Sequence, residues 1–487
     1  MNATAQSMMT LDEAAQACAG IVRHAGTNTP LFNNVSTDSR SILTGELFVA
    51  LKGEHFDGHE YVRQTLAQGA AAAMVEQGWL QAQGAALQGM SLIVVNDTRL
   101  ALGALAAHWR NKFDIPLIGV TGSNGKTTVK EMCAAILREQ ARRSGIDPAT
   151  AVLATTGNLN NDIGLPLMLL RLRSTHRAAV IEMGMNHSGE IAYLSRLAAP
   201  TVALVNNAQR AHLEGLGSLS EVARAKGEIF CGLRENGVAV INADDSHAAL
   251  WRELAGAAGT SHIVSFSLDS SIGGEISASY VVHEFGGTLH LVTPQGSGEA
   301  VLRVPGVHNA CNALAAAATT LACGATIPDV VAGLAAYAGI KGRLQLRRAL
   351  NGARLIDDSY NANPDSMRAA IDVLAALPGK KIFVLGDMGE VGEQTGQFHD
   401  EIGGYAKSMG IDTLLALGEH AATAVRNFDG GATHFKNVTE LINALRPLLD
   451  PDTTVLVKGS RFMKMERVAD AIEAIDAIET IKTIEAR

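Results

Sequence analysis

Cysteine is scarce in this sequence, and no two cysteines form a CxxC pair. The five that occur are scattered along the chain: Cys18, Cys133, Cys231, Cys311 and Cys323. A disulfide framework or a zinc site is typically marked by evenly numbered or closely paired cysteines, and this chain has neither pattern. The sequence therefore predicts a protein of a reducing compartment, the cytoplasm.

The sequence also lacks an apolar run of membrane-spanning length, and we expect no secretory leader. Residues 1–6 (MNATAQ) contain neither a basic segment nor a hydrophobic one. The alanine-rich run 313–323 is apolar, but a spanning helix needs about 20 such residues. Gly324 and Pro328 follow that run. We therefore expect a buried helix there and no membrane insertion.

Basic residues are in the minority, with 40 Lys and Arg against 49 Asp and Glu and a net charge of −9. Nucleic-acid binding depends on clustered positive charge, so a nucleic-acid partner is not favoured. An anionic ligand would have to be bound by local Lys and Arg side chains. The chain has 487 residues, which suits about three domains of ~150 residues each. Its hydrophobic content of 47% is typical of a globular protein.

A glycine-rich loop of the phosphate-binding type is present. The apolar run 116–120 predicts a buried strand, and apolar residues at helical spacing follow the loop: Val129, Met132, Cys133, Ile136 and Leu137. In such a strand–loop–helix unit the loop N–H groups and the helix N-terminus point at phosphate oxygens. Lys126 would contact the β- and γ-phosphates of a nucleotide, and the Thr127 hydroxyl would bind Mg²⁺.

The loop departs from the strict phosphate-loop motif at one position. Val120 stands where G-x-x-x-x-G-K-[ST] has its first glycine, so the loop is the shorter variant T-G-x-x-G-K-T. The predicted nucleotide-binding residues of the loop are Thr121, Gly122, Ser123, Asn124, Gly125, Lys126, Thr127 and Thr128.

Three modules are predicted, at residues 1–100, 101–340 and 341–487. In the second and third, apolar runs that end in polar residues or glycine alternate with helical patterns. This alternation is typical of an α/β fold whose parallel strands are covered on both faces. Ligands of doubly wound sheets bind beyond the carboxyl ends of the strands. We therefore expect Glu182 and the segments 206–214 and 242–245 to gather near the phosphate loop.

Several polar residues near these strand ends are candidates for a site. Glu182 could bind Mg²⁺, and His212 could bind a second metal ion. Lys226 lies in a predicted helix at 221–230, where a solvated surface lysine is the favoured interpretation. Asn309 and Asn312 could bind an adenine edge or simply begin a helix. The loop 36–40 (STDSR) could bind a phosphate or a uracil edge, although such loops are more often solvated turns.

Several segments together resemble the Mur ligase family, the ATP-dependent amide-forming enzymes of peptidoglycan precursor synthesis. The matching segments are 36–40 (STDSR), 121–128 (TGSNGKTT), 155–166 (TTGNLNNDIGLP), 181–186 (IEMGMN), 211–218 (AHLEGLGS), 225–230 (AKGEIF), 308–318 (HNACNALAAAA), 357–367 (DDSYNANPDSM), 386–393 (GDMGEVGE) and 458–461 (KGSR). They occur in family order over nearly the whole chain. The last three are typical of the members that add D-alanyl-D-alanine.

The resemblance implies a three-domain α/β fold. A small N-terminal α/β domain would bind UDP, a central ATPase would have a doubly wound, mostly parallel sheet, and a C-terminal domain would be Rossmann-like. The implied reaction begins when ATP phosphorylates the terminal carboxylate of a UDP-N-acetylmuramoyl-tripeptide. The amine of D-alanyl-D-alanine then attacks the acyl phosphate. Two Mg²⁺ ions and a monomeric state are further expectations.

The resemblance also implies residue roles. Lys126, His212 and Lys226 would be catalytic, with Thr127, Glu182, His212 and Lys226 as metal ligands. Lys226 would carry a carbamate. Asn309, Arg343 and Asp358 would contact ATP, and the UDP-substrate residues would be Ser39, Arg40, Asn158, Asn160 and Asn161.

Two other kinds of protein stay open. One is another amide ligase of the same superfamily, either the third-residue-adding enzyme or a folylpolyglutamate synthase. The segment 357–367 and the separate N-terminal module argue against it. The other is a nucleotide-switch protein that hydrolyses ATP to move a partner. Phosphate release that needs both amide-forming substrates would distinguish a ligase from a switch.

Overall fold

The computed structural model describes residues 7–24, 30–83 and 89–474. The expectation drawn from residues 1–6 falls outside this part of the chain. Three separate sheets lie within residues 21–95, 117–302 and 345–458. Each lies inside one of the predicted modules, but helix α4 (Thr98–Arg110) runs across the predicted boundary between residues 100 and 101. The module boundaries stay predictions.

The first module contains a five-stranded sheet in the order β2-β7-β6-β5-β4, parallel except for β2. A short antiparallel pair, β1 and β3, lies beside it. The strands are β1 (Met9–Thr10), β2 (Ile21–Arg23), β3 (Leu31–Phe32), β4 (Asn34–Ser36), β5 (Glu46–Val49), β6 (Ala72–Glu76) and β7 (Leu92–Val95); the helices are α1 (Leu11–Ala17), α2 (Val62–Ala67) and α3 (Gln77–Gln83). Thr10 caps α1 by accepting the Glu13 N–H.

The central module contains a nine-stranded sheet in the order β16-β15-β14-β13-β12-β11-β8-β10-β9. It is parallel from β9 to β14, and β15 and β16 extend it as an antiparallel edge. The strands are β8 (Leu117–Thr121), β9 (Val152–Ala154), β10 (Ala178–Glu182), β11 (Val202–Val205), β12 (Val238–Asn242), β13 (His262–Ser267), β14 (Ile276–Val282), β15 (Gly287–Thr293) and β16 (Gly296–Leu302).

Helices cover both faces of the central sheet. They are α5 (Lys126–Arg143), α6 (Pro148–Ala151), α7 (Gly164–Leu169), α8 (Glu190–Ala198), α9 (Leu213–Leu216), α10 (Leu219–Gly227), α11 (Ala248–Ala257), α12 (Val307–Ala322) and α13 (Ile327–Ala336). Strand β8 shows how the two cores arise, because successive side chains point to opposite faces. Leu117 packs with α8, α10 and α11, whereas Ile118 and Val120 pack with α5, α12 and α13. The mostly parallel, doubly covered sheet is therefore confirmed.

The alanine-rich segment is a buried helix, as predicted. Residues Ala313 to Ala318 of α12 are fully buried against α5 and the sheet. Small side chains let the two helix backbones approach closely while still burying apolar area. Among the described residues, no helix is long and apolar enough to cross a membrane.

The C-terminal module contains a six-stranded sheet in the order β17-β18-β22-β19-β20-β21, parallel except for β17. The strands are β17 (Gln345–Arg348), β18 (Arg354–Asp358), β19 (Lys380–Gly386), β20 (Thr413–Leu417), β21 (Ala432–Phe435) and β22 (Thr453–Lys458); the helices are α14 (Pro364–Ala375), α15 (Thr395–Ser408), α16 (Ala421–Phe428), α17 (Val438–Leu445) and α18 (Glu466–Ile472). The apolar runs at 355–356, 382–385, 414–417 and 455–457, which predict strands in this module, lie in β18, β19, β20 and β22.

Candidate active site

The phosphate loop joins β8 to α5, and two of its glycines are required by geometry. Gly122 and Gly125 have φ angles of 156° and 79°, a region that side chains disfavour. A Cβ on Gly125 would lie 2.3 Å from Asn312 Oδ1, so an alanine would collide with a buried amide. Lys126 begins α5, and its Nζ donates to Gly122 O at 2.6 Å and Ser123 O at 3.2 Å.

A cavity of about 1050 Å³ opens beside this loop. Residues of the central and C-terminal modules line it, together with Arg99 and Leu100 of α4. The predicted residues among its walls are Ser123, Asn124, Gly125, Lys126, Thr127, Thr128, Asn158, Asn160, Asn161, Glu182, His212, Asn309, Arg343 and Asp358. The structure therefore brings together most of the predicted site from separate segments of the chain between residues 123 and 358.

Five predicted residues do not line the cavity: Lys226, which is described below, and four others. Thr121 is fully buried under the loop, where its hydroxyl donates to Met183 O at 3.0 Å. Gly122 also stays out of the cavity wall. Ser39 and Arg40 lie in the N-terminal module away from the cavity, and the Arg40 side chain is 86% exposed and pairs with Asp38 at 2.8 Å.

Glu182 ends strand β10 with its carboxylate in the cavity. Its Oε1 accepts from Asn160 Nδ2 at 2.8 Å, and its backbone N–H donates to Thr155 Oγ1 at 2.9 Å. Its Oε2 is buried and has no hydrogen-bond partner among the described residues. A buried carboxylate oxygen without a donor is costly unless something else binds it, and Mg²⁺ prefers oxygen ligands of this kind.

His212 faces the same cavity from the segment after β11. Its backbone is left-handed (φ 58°, ψ 29°), which turns the chain into α9. Its Nδ1 lies 3.0 Å from Glu390 Oε2 of the C-terminal module, without the angle of a hydrogen bond. Burial lowers the pKa of His212, although Glu390 opposes this. A neutral imidazole is the form that binds a metal ion.

No group of three or more His, Cys, Asp or Glu side chains suited to a metal ion occurs in the part of the chain that the structure describes. Mg²⁺ sites in nucleotide enzymes need only one or two carboxylates, because phosphate oxygens and water complete the shell. The donor set of Thr127, Glu182 and His212 fits that pattern.

The interpretation of Lys226 as a solvated surface lysine is wrong. Its side chain is 1% exposed, at the buried face of α10. Burial, and then the charge of Lys126, lower its pKa well below the usual value. The sequence carried a signal for this position, because Val222 lies four residues earlier and so shares the helix face. Lys226 lies behind the cavity wall rather than in it.

Arg343 and Asp358 bring the C-terminal module to the phosphate loop. Arg343 Nη2 donates to Thr127 Oγ1 at 2.9 Å, and its guanidinium lies 4.4 Å from the centre of the Tyr360 ring. Asp358 accepts from Lys458 Nζ at 2.6 Å and from the Leu344 N–H at 3.1 Å. Burial raises the pKa of Asp358, although Lys458 opposes this.

Asn309 and Asn312 begin helix α12, as one of the two interpretations predicts, and contact with an adenine edge stays a prediction. Asn309 Nδ2 donates to Pro305 O at 2.8 Å and its Oδ1 accepts from Asn312 Nδ2 at 3.2 Å, so the amides brace the start of the helix. Both residues also line the cavity. Asn312 Oδ1 accepts from Asn206 Nδ2 at 2.9 Å, which ties α12 to the segment after β11.

Sequence reasoning assigned no role to several cavity residues of the C-terminal module. They are Tyr360, Asn361, Ala362, Asn363, Asp365, Ser366, Gly389, Glu390 and Lys458. All of them fall in the segments 357–367, 386–393 and 458–461. Those segments follow β18, β19 and β22, whose carboxyl ends meet at one edge of the C-terminal sheet.

The fold and the cavity define a phosphate-loop protein in which two α/β domains line the cavity beside the loop. The family models "Mur ligase family, catalytic domain", "Mur ligase middle domain" and "Mur ligase, glutamate ligase domain" match residues 31–110, 120–320 and 342–461. The chain belongs to the Mur ligase family of ATP-dependent amide ligases.

Individual relatives are similar over nearly the whole length. A UDP-N-acetylmuramoyl-tripeptide–D-alanyl-D-alanine ligase of Haemophilus influenzae is 43% identical over 441 residues, which is 89% of this chain and 92% of the relative. The crystal structure of MurF from Acinetobacter baumannii superimposes with a TM-score of 0.85 at 37% identity, covering 95% and 98% of the two chains. MurF from Thermotoga maritima, solved in complex with ADP, gives a TM-score of 0.77 at 26% identity over 90% and 96% of the two chains.

Proposed function

We propose that this protein uses ATP to join D-alanyl-D-alanine to a UDP-N-acetylmuramoyl-tripeptide through an acyl phosphate. The observation that carries the proposal is the hydrogen bond from Arg343 to the Thr127 hydroxyl. Through this bond the Arg343 guanidinium of the C-terminal domain reaches the phosphate loop. The same domain would bring the incoming amine. The similarity to ligases of that name supports the choice of substrates.

The first step has to bring an anionic carboxylate to an anionic phosphoryl group. Lys126 is placed to offset that repulsion from the centre of the loop, and Arg343 adds a second positive charge from the other domain. Fixed cations in a cavity that excludes water stabilise such charge more than they would in solution. Thr127, Glu182 and His212 would hold two Mg²⁺ ions, which supply charge neutralisation to the phosphates when bound.

The second step needs an acyl phosphate that is kept from water. A contact between the central and C-terminal domains lies at the loop and would serve this purpose: Asn124 and Asn363 exchange two amide hydrogen bonds of 3.2 and 2.8 Å. The amine of D-alanyl-D-alanine would attack the acyl carbon and expel phosphate. We assign the C-terminal side of the cavity to the dipeptide.

The opposite side of the cavity would hold the UDP-linked tripeptide. Asn158, Asn160 and Asn161 line that side with Arg99 and Asp162, which form an ion pair. Ser39 and Arg40 would contact the more distant uridine end. Carbamylation of Lys226 remains part of the proposal. Burial and low basicity favour the free amine that reacts with carbon dioxide. We place the enzyme, as a monomer, in the cytoplasm.

A coupled phosphate-release assay over a panel of UDP-muramoyl peptides and dipeptides tests the proposal. We expect rapid release only when the UDP-muramoyl-tripeptide and D-alanyl-D-alanine are both present, with the pentapeptide seen by mass spectrometry. Tripeptides with diaminopimelate or lysine at position three would be compared. Release with ATP alone, at the rate of the complete mixture, would instead indicate a nucleotide switch.

A further inference from the structure

Arg210 belongs to the central domain, but its side chain is bound by the C-terminal domain. Its Nε and Nη2 donate to Asp365 Oδ1 at 3.0 and 2.7 Å, and its backbone N–H donates to Asp365 Oδ2 at 2.8 Å. Its Nη1 and Nη2 donate to Glu401 Oε2 and Oε1 at 2.8 and 3.1 Å. The guanidinium also lies 5.3 Å from the centre of the Phe398 ring. Two helices, α14 and α15, therefore bind one side chain.

The surroundings of this contact make it stronger than an ordinary surface ion pair. The side chains of Arg210, Asp365 and Glu401 are only 26%, 24% and 30% exposed. Arg210 holds the pKa of Glu401 below its usual value, because the adjacent guanidinium favours the charged carboxylate. The planar guanidinium presents a fixed fork of donors to both carboxylates, a geometry that the point charge of a lysine ammonium does not reproduce.

The residues just before Arg210 are bound to the phosphate loop. Asn207 O accepts the Ser123 N–H at 3.0 Å, and Asn207 Oδ1 accepts the Asn124 N–H at 2.9 Å. The Gln209 N–H donates to Ser123 Oγ at 2.9 Å, and Gln209 Oε1 accepts from Asn124 Nδ2 at 2.6 Å. The chain between Asn207 and Gln209 therefore follows the loop at hydrogen-bond distance.

His212 lies two residues after Arg210, in the same short segment. One stretch of backbone thus contacts the phosphate loop, then the C-terminal domain, and then presents an imidazole to the cavity. Such a segment moves as a unit, since each contact limits the backbone on either side. A change in the position of the C-terminal domain would displace Arg210 and hence His212.

We propose that Arg210 is a positioning residue that couples docking of the C-terminal domain to the placement of His212 and the phosphate loop. The inference rests on the proposed function, in which these groups act on ATP. Arg210 and Glu401 do not line the cavity, whereas Asp365 does. The contact between Arg210 and Glu401 can therefore persist when a nucleotide enters the cavity. The contact between Asn124 and Asn363 lies in the cavity wall, and a bound nucleotide can alter it.

The test compares Arg210→Ala and Arg210→Lys with Arg368→Ala in the ligation assay. Arg368 is the matched control, because it donates to the same Glu401 at 3.0 Å but belongs to the C-terminal domain itself. We expect Arg210→Ala to lower kcat about ten- to a hundredfold. This range corresponds to the interaction free energies that are typical of residues in one ion-pair network. Arg210→Lys should be intermediate, and Arg368→Ala should stay near the parent. The KM for the UDP-tripeptide should change by less than about twofold, because the contact is remote from that end of the cavity.

Two further measurements separate positioning from simple loss of structure. Arg210→Ala combined with Glu401→Gln should be no slower than Arg210→Ala alone, because both remove one interaction. Small-angle X-ray scattering with a non-hydrolysable ATP analogue should show a more extended average shape for Arg210→Ala than for the parent. If Arg210→Ala fails to fold, Arg210→Lys and Glu401→Gln carry the test.

The inference is overturned if a folded Arg210→Ala keeps the kcat of Arg368→Ala, or if its losses with the Glu401 variant are additive. It is also overturned if the UDP-tripeptide KM rises in proportion to the loss of kcat. A parent enzyme that does not ligate would refute the proposed function instead, and the scattering comparison would still test the docking contact.

Discussion

Replacement of Lys126 with alanine should abolish ligation and leave the protein folded. The lysine begins α5 and faces the cavity, and its two hydrogen bonds go to carbonyl groups of its own loop. No apolar cluster depends on it. The substitution therefore removes a positive charge from the place where phosphates would bind, and little else.

The expected magnitudes differ widely between stability and activity. Loss of two hydrogen bonds costs about 0.5–1.5 kcal/mol each, a minor part of the roughly 5–15 kcal/mol that stabilises a domain. Two unit charges ~4 Å apart interact by about 4 kcal/mol at an effective dielectric constant of ~20. That energy corresponds to about a thousandfold in rate.

The assay is phosphate release at saturating ATP, with pentapeptide formation followed by mass spectrometry. Lys126→Met keeps the apolar stem and controls for packing, and Lys112→Ala removes a lysine that lies outside the cavity. Thermal unfolding shows whether each variant is folded. A folded Lys126→Ala that ligates within about tenfold of the parent would refute the assignment of this charge to the phosphates, as would a variant that unfolds while Lys126→Met does not.

The remaining predictions concern three other parts of the molecule. Arg343→Ala and Asp358→Ala should raise the KM for ATP about ten- to a hundredfold, the range for hydrogen bonds to charged groups. Calorimetry should show a smaller change in affinity for the UDP-tripeptide, and equal losses would contradict a nucleotide site shared between domains. Lys226→Ala should lose most activity, and added acetate should partly restore it if a carbamate is present in the parent; unchanged activity, also after bicarbonate depletion, would exclude that role. Arg347→Ala should destabilise the folded state by about 3–5 kcal/mol, because the buried Asp357 carboxylate, 2.9 Å from Arg347, would lose its cation. Urea denaturation measures this, and a change below ~1 kcal/mol would show that the pair stabilises little.

Local sequence patterns were sufficient to predict the strands and helices that position the site. The run 179–182 predicts a strand with Glu182 at its end, and β10 ends at that residue. The loop after residues 116–120 enters a helix at Lys126, as its spacing predicts. These successes share a cause: strand alternation, helix periodicity and glycine requirements are properties of a few consecutive residues.

Contacts between domains could not be predicted in the same way. Arg343 and Thr127 are 216 positions apart, and only the orientation of two separately folded sheets brings them within 2.9 Å. The burial of Lys226 has a similar origin, because it depends on what packs against α10. Arg210 showed no motif at all, and its two carboxylate partners lie on helices of another domain. Family resemblance supplied roles for some of these residues but no distances.

Asparagine side chains hold the phosphate loop in its shape, and their neutrality matters for the ligand. Asn206 and Asn207 both donate to Asn124 O at 3.1 Å, Asn312 accepts from Asn206, and Asn363 pairs with Asn124. An amide can donate and accept at once, so these side chains form a network of neutral groups around the loop, although Asn206 Oδ1 is buried without a hydrogen-bond partner among the described residues. An aspartate at position 124 or 207 could accept similar hydrogen bonds, but its charge would repel phosphates at close range. The loop is thus preorganised by neutral groups, and the positive charge of Lys126 is left for the nucleotide.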